Sequence, residues 1–434
     1  MSLDRRLWSL AWPLMLTNIT VPLLGLVDTA VLGHLDDARF LGAVAIGANL
    51  FSVLYWTFGF MRMGTTGLAA QALGRDSADD LLRLLVQSLV LATTIGLGLI
   101  LLQQPLIRVA LWLMAPGPEL HELAYSYAQI RIYSAPAVLC QYTVVGWLIG
   151  TQFPRDPMFI MILANALNMA LDVLFVTGFG WQSDGVALAT LLAEYVATGT
   201  GLWLVARRCP SGARFKTAWL TTFADYRRLI AVNRHIMVRT ILLLLAFAFF
   251  TAQGARMGET VLAANAVLLT FLLIISNGLD GFANGAEALV GEAIGQRSRA
   301  AFRAVFRVAL RWSLIGSLLF AAVFWLAGDA IVRLLTDLQP VRDTAHDYLP
   351  WVWLLPLAAV WSYLLDGVFI GATRTRAMQN AMLISVLGVY LPVWWLAQPL
   401  GNHGLWLALT ALVLARAATM GWVFARLSHP WRWF

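Results

Sequence analysis

The chain has 434 residues, of which 60% are hydrophobic and only 12% charged, with a mean hydropathy of +0.74. Soluble domains run near about 45–50% apolar and about 25% charged, so a water-soluble globular protein is excluded. The net charge of +7 does not mark a nucleic-acid binder, because the basic residues lie between apolar stretches and form no single patch.

Apolar runs separated by charged or Gly/Pro-rich breaks predict twelve helices, near 7–32, 40–72, 81–104, 122–150, 157–178, 185–206, 228–252, 260–291, 302–327, 348–371, 377–399 and 404–425. Each can cross a hydrocarbon core of about 30 Å, and helices satisfy their own backbone where no water can. The first span follows Arg5 and Arg6 and runs on to Leu32 without a small-residue cleavage site, which predicts a retained helix instead of a signal peptide. Basic residues set the orientation, since they gather on the cytoplasmic side. The loops that share a side with both termini hold 18 of them, Arg75, Arg83, Arg207 and Arg228 included, against 5 in the alternate loops. The expectation is a multi-pass protein of the bacterial inner membrane with both termini cytoplasmic.

The sequence repeats itself at an offset of 221 positions. Gly33 meets Gly254, Gly64 meets Gly285, Gly74 meets Gly295, Tyr142 meets Tyr363, and Gly146 and Gly150 meet Gly367 and Gly371. Matched glycines at one constant offset read as a duplication, with six spans in each copy and the two copies in the same orientation. The predicted fold class is an all-α membrane protein of twelve transmembrane helices in two pseudo-symmetric six-helix lobes, the parallel-repeat plan. Residues 1–206 form the first lobe, 207–227 a cytoplasmic linker and 228–434 the second.

Carboxylates at membrane depth cost roughly 2.5–3.5 kcal/mol on insertion scales, so each needs a partner, a wet cavity or a proton. Asp28 near the outer end of the first span, Tyr127 in the fourth, Asn168 and Asp172 in the fifth and Thr190 in the sixth fall at similar depth. Asn165, Asn168 and Asp172 share one helix face. The offset maps Asp28 to Phe249, Asn168 to Val389 and Asp172 to Val393, so the second copy lacks this polar set. A cluster that served the fold alone would have reason to recur, which favours ion coupling over plain interhelical hydrogen bonds worth about 0.6 kcal/mol each. Arg62, Asp280 and Glu287 read as a structural or gating ion pair, with substrate contact as the alternative. Glu194 and Arg416 read as snorkelling or locally paired, and Asp366 as a solvated carboxylate near a helix end. Pro13 and Pro22 inside the first span suggest a hinge.

Other chemistry finds no support. Lys216 lacks the glycines of a phosphate-binding loop, the six histidines show no metal-ligand spacing, and Cys140 and Cys209 suggest neither a disulfide framework nor a thiolate site. No cofactor and no metal is expected.

The segments Val27–Leu35 (VDTAVLGHL), Arg62–Gln71 (RMGTTGLAAQ), Asn168–Asp172 (NMALD) and Leu365–Thr373 (LDGVFIGAT) resemble the multidrug and toxic compound extrusion (MATE) transporters, in the DinF-like branch, and the likeness covers essentially the whole chain. The resemblance implies export of a small-molecule substrate coupled to entry of protons or sodium ions. It carries the family's helix-one aspartate onto Asp28, its helix-five pair onto Asn168 and Asp172, its helix-six threonine onto Thr190 and its helix-four tyrosine onto Tyr127. The expected partners are an amphiphilic organic cation and the lipid bilayer, with no nucleic acid, and the protein is expected as a monomer. The rivals are a sodium-coupled exporter, a flippase of lipid-linked precursors and, from another class, an intramembrane enzyme using Asp28 and Asp172 as acid and base.

Overall fold

A computed structural model describes residues 2–17, 38–210, 212 and 215–434. Among them all regular structure is helical. The first helix, α1, is described over 3–17 and runs unbroken through Pro13. Eleven further helices are long and apolar enough to span a membrane: α2 (Arg39–Gly74), α3 (Ala78–Leu101), α4 (Pro118–Gly150), α5 (Arg155–Gly178), α6 (Gln182–Arg208), α7 (Tyr226–Arg256), α8 (Glu259–Gly295), α9 (Arg299–Leu335), α10 (Gln339–Gly371), α11 (Thr375–Leu396) and α12 (Asn402–Ser428). Pro22 and Asp28 lie outside the described residues.

Two predicted spans prove longer. The ninth, expected over 302–327, continues to Leu335, and the tenth, expected from 348, begins at Gln339. Polar contacts sustain these extensions where the apolar pattern has stopped. His346 Nδ1 stands 2.8 Å from Asp329 Oδ1, and Arg342 donates to the Thr336 and Arg333 carbonyls at 2.7 and 3.1 Å, satisfying acceptors at the end of α9.

The duplication is written into the backbone. Asp76 and Arg297 take left-handed φ values of 54° and 52°, Gln152 and Thr373 values of 66° and 53°, and Gly180 and Gly401 values of 71° and 55°. Each pair is one repeat offset apart. The N-caps repeat as well: Ser77 accepts from the Asp80 N–H and Ser298 from the Ala301 N–H. Close helix packing follows the same rule. A Cβ on Gly146 would stand 2.4 Å from the Arg62 carbonyl oxygen and one on Gly367 2.3 Å from that of Ala283. Gly150 and Gly371 meet the Thr66 and Glu287 carbonyls at 2.5 and 2.4 Å in the same way. Glycine is what lets α4 lie on α2, and α10 on α8, at this distance.

The chain divides into two compact units, Leu16–Ile230 and Met1–Met15 with Ala231–Phe434. The repeat assigns residues 1–206 to one lobe, whereas the first fifteen residues pack in the second-half unit. The reason is local. Gly281 and Gly285 of α8 leave room for Met15 and Leu7, Trp8 packs edge-on against Phe282 and Trp312, and Arg6 pairs with Glu292 at 2.6 Å.

In each unit one helix is central. Over their most apolar windows, α4 is 67% and α10 72% buried, while the other spans reach only 22–33%. These two helices are repeat partners, and apolar residues all round them pack on protein. The remaining spans turn broad apolar surfaces outward, with Leu101, Leu245 and Leu326 among the exposed residues, the arrangement lipid demands.

Candidate functional site

Three residues of the predicted polar set, Asn168, Asp172 and Thr190, meet between α5 and α6. Asn168 and Asp172 are one turn apart, at i and i+4, and therefore point the same way. Both are buried, Asn168 at 2% and Asp172 at 0% exposure. The surrounding donors and acceptors orient the Asn168 carboxamide. Its oxygen faces the Thr190 backbone N–H at 3.1 Å and hydroxyl at 3.0 Å, and its nitrogen donates to Asp172 Oδ2 at 3.1 Å. Thr190 Oγ1 also stands 2.9 Å from the Val186 carbonyl, one turn back on α6. The side chain of Asn168 thus links the buried carboxylate to α6.

The α-helical turns of α5 end at Asp172, and Val173–Gly178 continue in the wider π geometry. Such insertions re-aim side chains and recur at functional positions. Tyr127 is buried in the same unit, its ring filling the space above Gly47 of α2, where a Cβ would come within 2.2 Å of the ring. Asn165 is half-buried on the same helix as Asn168.

Of the three positions expected to form an ion pair, Arg62 is half-buried in the first-half unit, while Asp280 and Glu287 lie on α8 of the other. Glu287 is buried at 1% exposure and Asp280 half-buried. The main chain of Arg62 receives Gly146 and accepts the Thr66 hydroxyl at 2.8 Å.

Two buried ionic networks bring in residues beyond this set, the first of them close enough to Tyr127 to interact with it, and sequence reasoning found only part of each. In the first-half unit Arg131 of α4 forks onto Glu194 of α6, at 2.7 and 2.8 Å, in the bidentate geometry a guanidinium favours. Arg131 also lies against the Phe51 and Tyr55 rings at 5.5 and 5.6 Å and donates to Ser134 Oγ. Tyr55 closes the group, 2.8 Å from the same Ser134 oxygen. Glu194 is locally paired, as expected, but Arg131 itself went unremarked. Its signal was a lone arginine inside an apolar run, opposite in sign to an acid on another span.

In the second-half unit Asp366 of α10 accepts from Arg416 of α12 at 2.7 Å and also from Arg239 of α7. All three are below 10% exposure. The expectation of a solvated Asp366 is therefore corrected. Its helix is the central, buried one of its unit, and an acid there is tolerated because two guanidinium groups match it. At the start of α12, four turns from Arg416, Asn265 and Asn402 exchange hydrogen bonds at 2.8 and 2.9 Å, and Trp406 donates to Asn265 at 2.9 Å, tying α8 to α12. Among the described residues, no group of three or more His, Cys, Asp or Glu side chains could hold a metal ion.

The family model MatE matches the chain twice, over residues 13–174 and 236–396. The chain is 45% identical to DNA damage-inducible protein F of Escherichia coli (strain K12), over 100% of its own length and 94% of that protein's. It is 24% identical to the probable multidrug resistance protein NorM of Acinetobacter baylyi, covering 95% of this chain and 93% of the relative. Among solved structures, a MOP superfamily transporter from Pyrococcus furiosus superposes with a TM-score of 0.86 at 19% identity, over 99% of this chain and 96% of the other. A MATE protein crystallised in a straight conformation superposes with a TM-score of 0.84 at 20% identity, over 99% and 97%. At those identities the structures establish the fold.

Proposed function

Because this chain belongs to the MatE family, the multidrug and toxic compound extrusion transporters, we propose that it is a secondary active antiporter. It exports small organic compounds, cationic or amphiphilic, while protons enter, by alternating access in the bacterial inner membrane, as a monomer with both termini cytoplasmic. Members of the family are transporters, and none of the side-chain arrangements described above calls for covalent chemistry.

The observation that carries the reading is a buried carboxylate in the first-half unit that the second copy of the repeat lacks. Asp172 is fully buried, its Oδ2 accepts from the Asn168 carboxamide, and its repeat equivalent is Val393. Asp366, by contrast, is matched by Arg239 and Arg416. A buried carboxylate such as Asp172, inside a membrane protein, is suited to taking up and giving back a coupling ion.

Asp28, predicted at similar depth, completes the proposed coupling group with Tyr127, Asn168, Asp172 and Thr190. Arg62, Asp280 and Glu287 are proposed to face substrate or gate access. Pro13 and Pro22 would let the first span bend when Asp28 changes protonation. Coupling then requires only that proton and substrate prefer different states by a few kcal/mol.

The two arginines on Asp366 support protons over sodium, because a metal cation placed there would have to compete with both. The test is efflux of a cationic dye from reconstituted vesicles of the wild type and of the Asp28→Asn and Asp172→Asn variants. Loss of gradient-driven efflux in both variants, with insertion intact, supports the reading; undiminished efflux overturns it.

A further inference from the structure

In the second-half unit the end of α7, the end of α11 and the start of α12 enclose a recess of about 270 Å³. Gln253 and Arg256 of α7, Trp394 of α11, Gln398 of the turn that follows, and Gly401 and Gly404 at the beginning of α12 line it. A Cβ on Gly404 would stand 2.1 Å from the Ala397 carbonyl oxygen, so glycine lets α12 start directly against that turn. Drug-sized ligands take pockets of about 300–1,000 Å³, and this recess therefore fits a compact molecule.

Gln253 shows what kind of molecule that is. It is 8% exposed and borders the recess, yet among the described residues its carboxamide has no hydrogen-bond partner, although buried amides are nearly always paired. A molecule lodged in the recess can make the bond that the protein leaves open. Two further features set the sign of its charge. Arg256 is exposed and forms no ion pair with a described acid. The helix α12 begins at the recess, and no side chain caps its N-terminal N–H groups. A helix N-terminus acts as about half a positive charge. Together with one guanidinium it matches a monoanion and repels the cationic compounds proposed for export.

The fold does not require a polar recess here. The repeat places Leu32, Leu35, Val173 and Thr177 at the positions of Gln253, Arg256, Trp394 and Gln398. One turn before Gln253, where the first copy has Asp28, the second has Phe249, whose ring meets Trp394 edge-on at 4.8 Å and Tyr390 at 5.8 Å. The second copy thus replaces that acid with an aromatic stack and carries polar side chains one turn further along the helix.

We propose that the recess binds a small aromatic carboxylate, with its carboxylate on Arg256 and the Gln253 amide and its ring against Trp394. A guanidinium takes a carboxylate through two parallel hydrogen bonds, the amide nitrogen of Gln253 supplies a further donor, and the half-buried indole of Trp394 offers flat apolar contact. The site lies in the other unit from the proposed ion-coupling group, and its test reads binding, not transport.

The experiment uses the full chain purified in a neutral detergent. Its thermal unfolding near neutral pH is followed during titration with benzoate, with benzamide, with benzylamine and with sodium chloride at matched ionic strength. Benzoate should raise the unfolding temperature in a saturable way, while the other three leave it unchanged. The half-maximal benzoate concentration should rise at least fivefold in Arg256→Gln and in Gln253→Leu, which installs the residue of the first copy. Gln253→Glu, of the same size, should abolish the response, and Arg333→Gln, which alters an exposed arginine elsewhere in this unit, should leave it in place. Equal responses to benzoate and benzamide, or a benzoate response matched by sodium chloride, would overturn the proposal. An unshifted titration in both Gln253 variants would also overturn it, even with a shift in Arg256→Gln, by reducing the site to a surface charge.

Discussion

The carboxamide nitrogen of Asn168 stands 3.1 Å from Asp172 Oδ2, one helical turn further along α5, while its oxygen faces Thr190 on α6. Asn168 thereby holds one oxygen of the buried carboxylate toward α6. Replacing it with Leu should lower gradient-driven efflux at least tenfold while removing a partner from a buried acid, a loss worth about 1–3 kcal/mol. Asn168→Asp should not restore efflux, since a second carboxyl cannot donate to Asp172 when ionised. Efflux rates and unfolding temperatures of the two variants check this.

The Arg131–Glu194 pair predicts a different signature. Truncating Glu194 to Ala leaves a buried guanidinium without its counter-charge, and stability should fall by about 3–5 kcal/mol. The double variant Arg131→Met/Glu194→Leu should recover most of that loss, because an apolar pair of similar volume removes both charges. Thermal unfolding of the single and double variants measures the difference.

Asp366 separates a structural role from a coupling role. Asp366→Asn should destabilise the second-half unit by about 3–5 kcal/mol, as it leaves Arg239 and Arg416 facing one another. The coupling ion should stay the same in whatever folded protein remains. A change in the ratio of proton-driven to sodium-driven efflux would instead place Asp366 on the ion path.

The repeat glycines should respond as pairs. Gly146→Ala and Gly367→Ala each put a methyl group within 2.4 Å of a facing carbonyl oxygen, a clash that backbone cannot evade. Each should cost about 1–3 kcal/mol, and similar losses are expected because α4 on α2 and α10 on α8 are copies of one contact. Unfolding of each variant in detergent tests the equivalence.

Those contacts also explain what was legible in the sequence. Close helix approach excludes a Cβ, so glycines survive at one offset and announce both the duplication and the helix faces. Asn168 and Asp172 were legible because their spacing is local to one helix. Arg131 with Glu194, and Arg239 with Asp366 and Arg416, were not, since each contact joins separate helices 50 to 127 positions apart. The repeat includes residues 1–15 in the first lobe, while their packing depends on Gly281 and Gly285, far along the chain. Likewise the ends of α9 and α10 rest on polar contacts that an apolar pattern does not register.

Vesicle efflux under separately imposed gradients tests the central claim most directly, that the buried acids of the first-half unit bind the driving proton. The account predicts that an inward proton gradient without sodium drives efflux in the wild type, that a sodium gradient at equal pH does not, and that Asp172→Asn abolishes the response. Efflux driven by sodium alone, or proton-driven efflux surviving intact in Asp172→Asn, would contradict it.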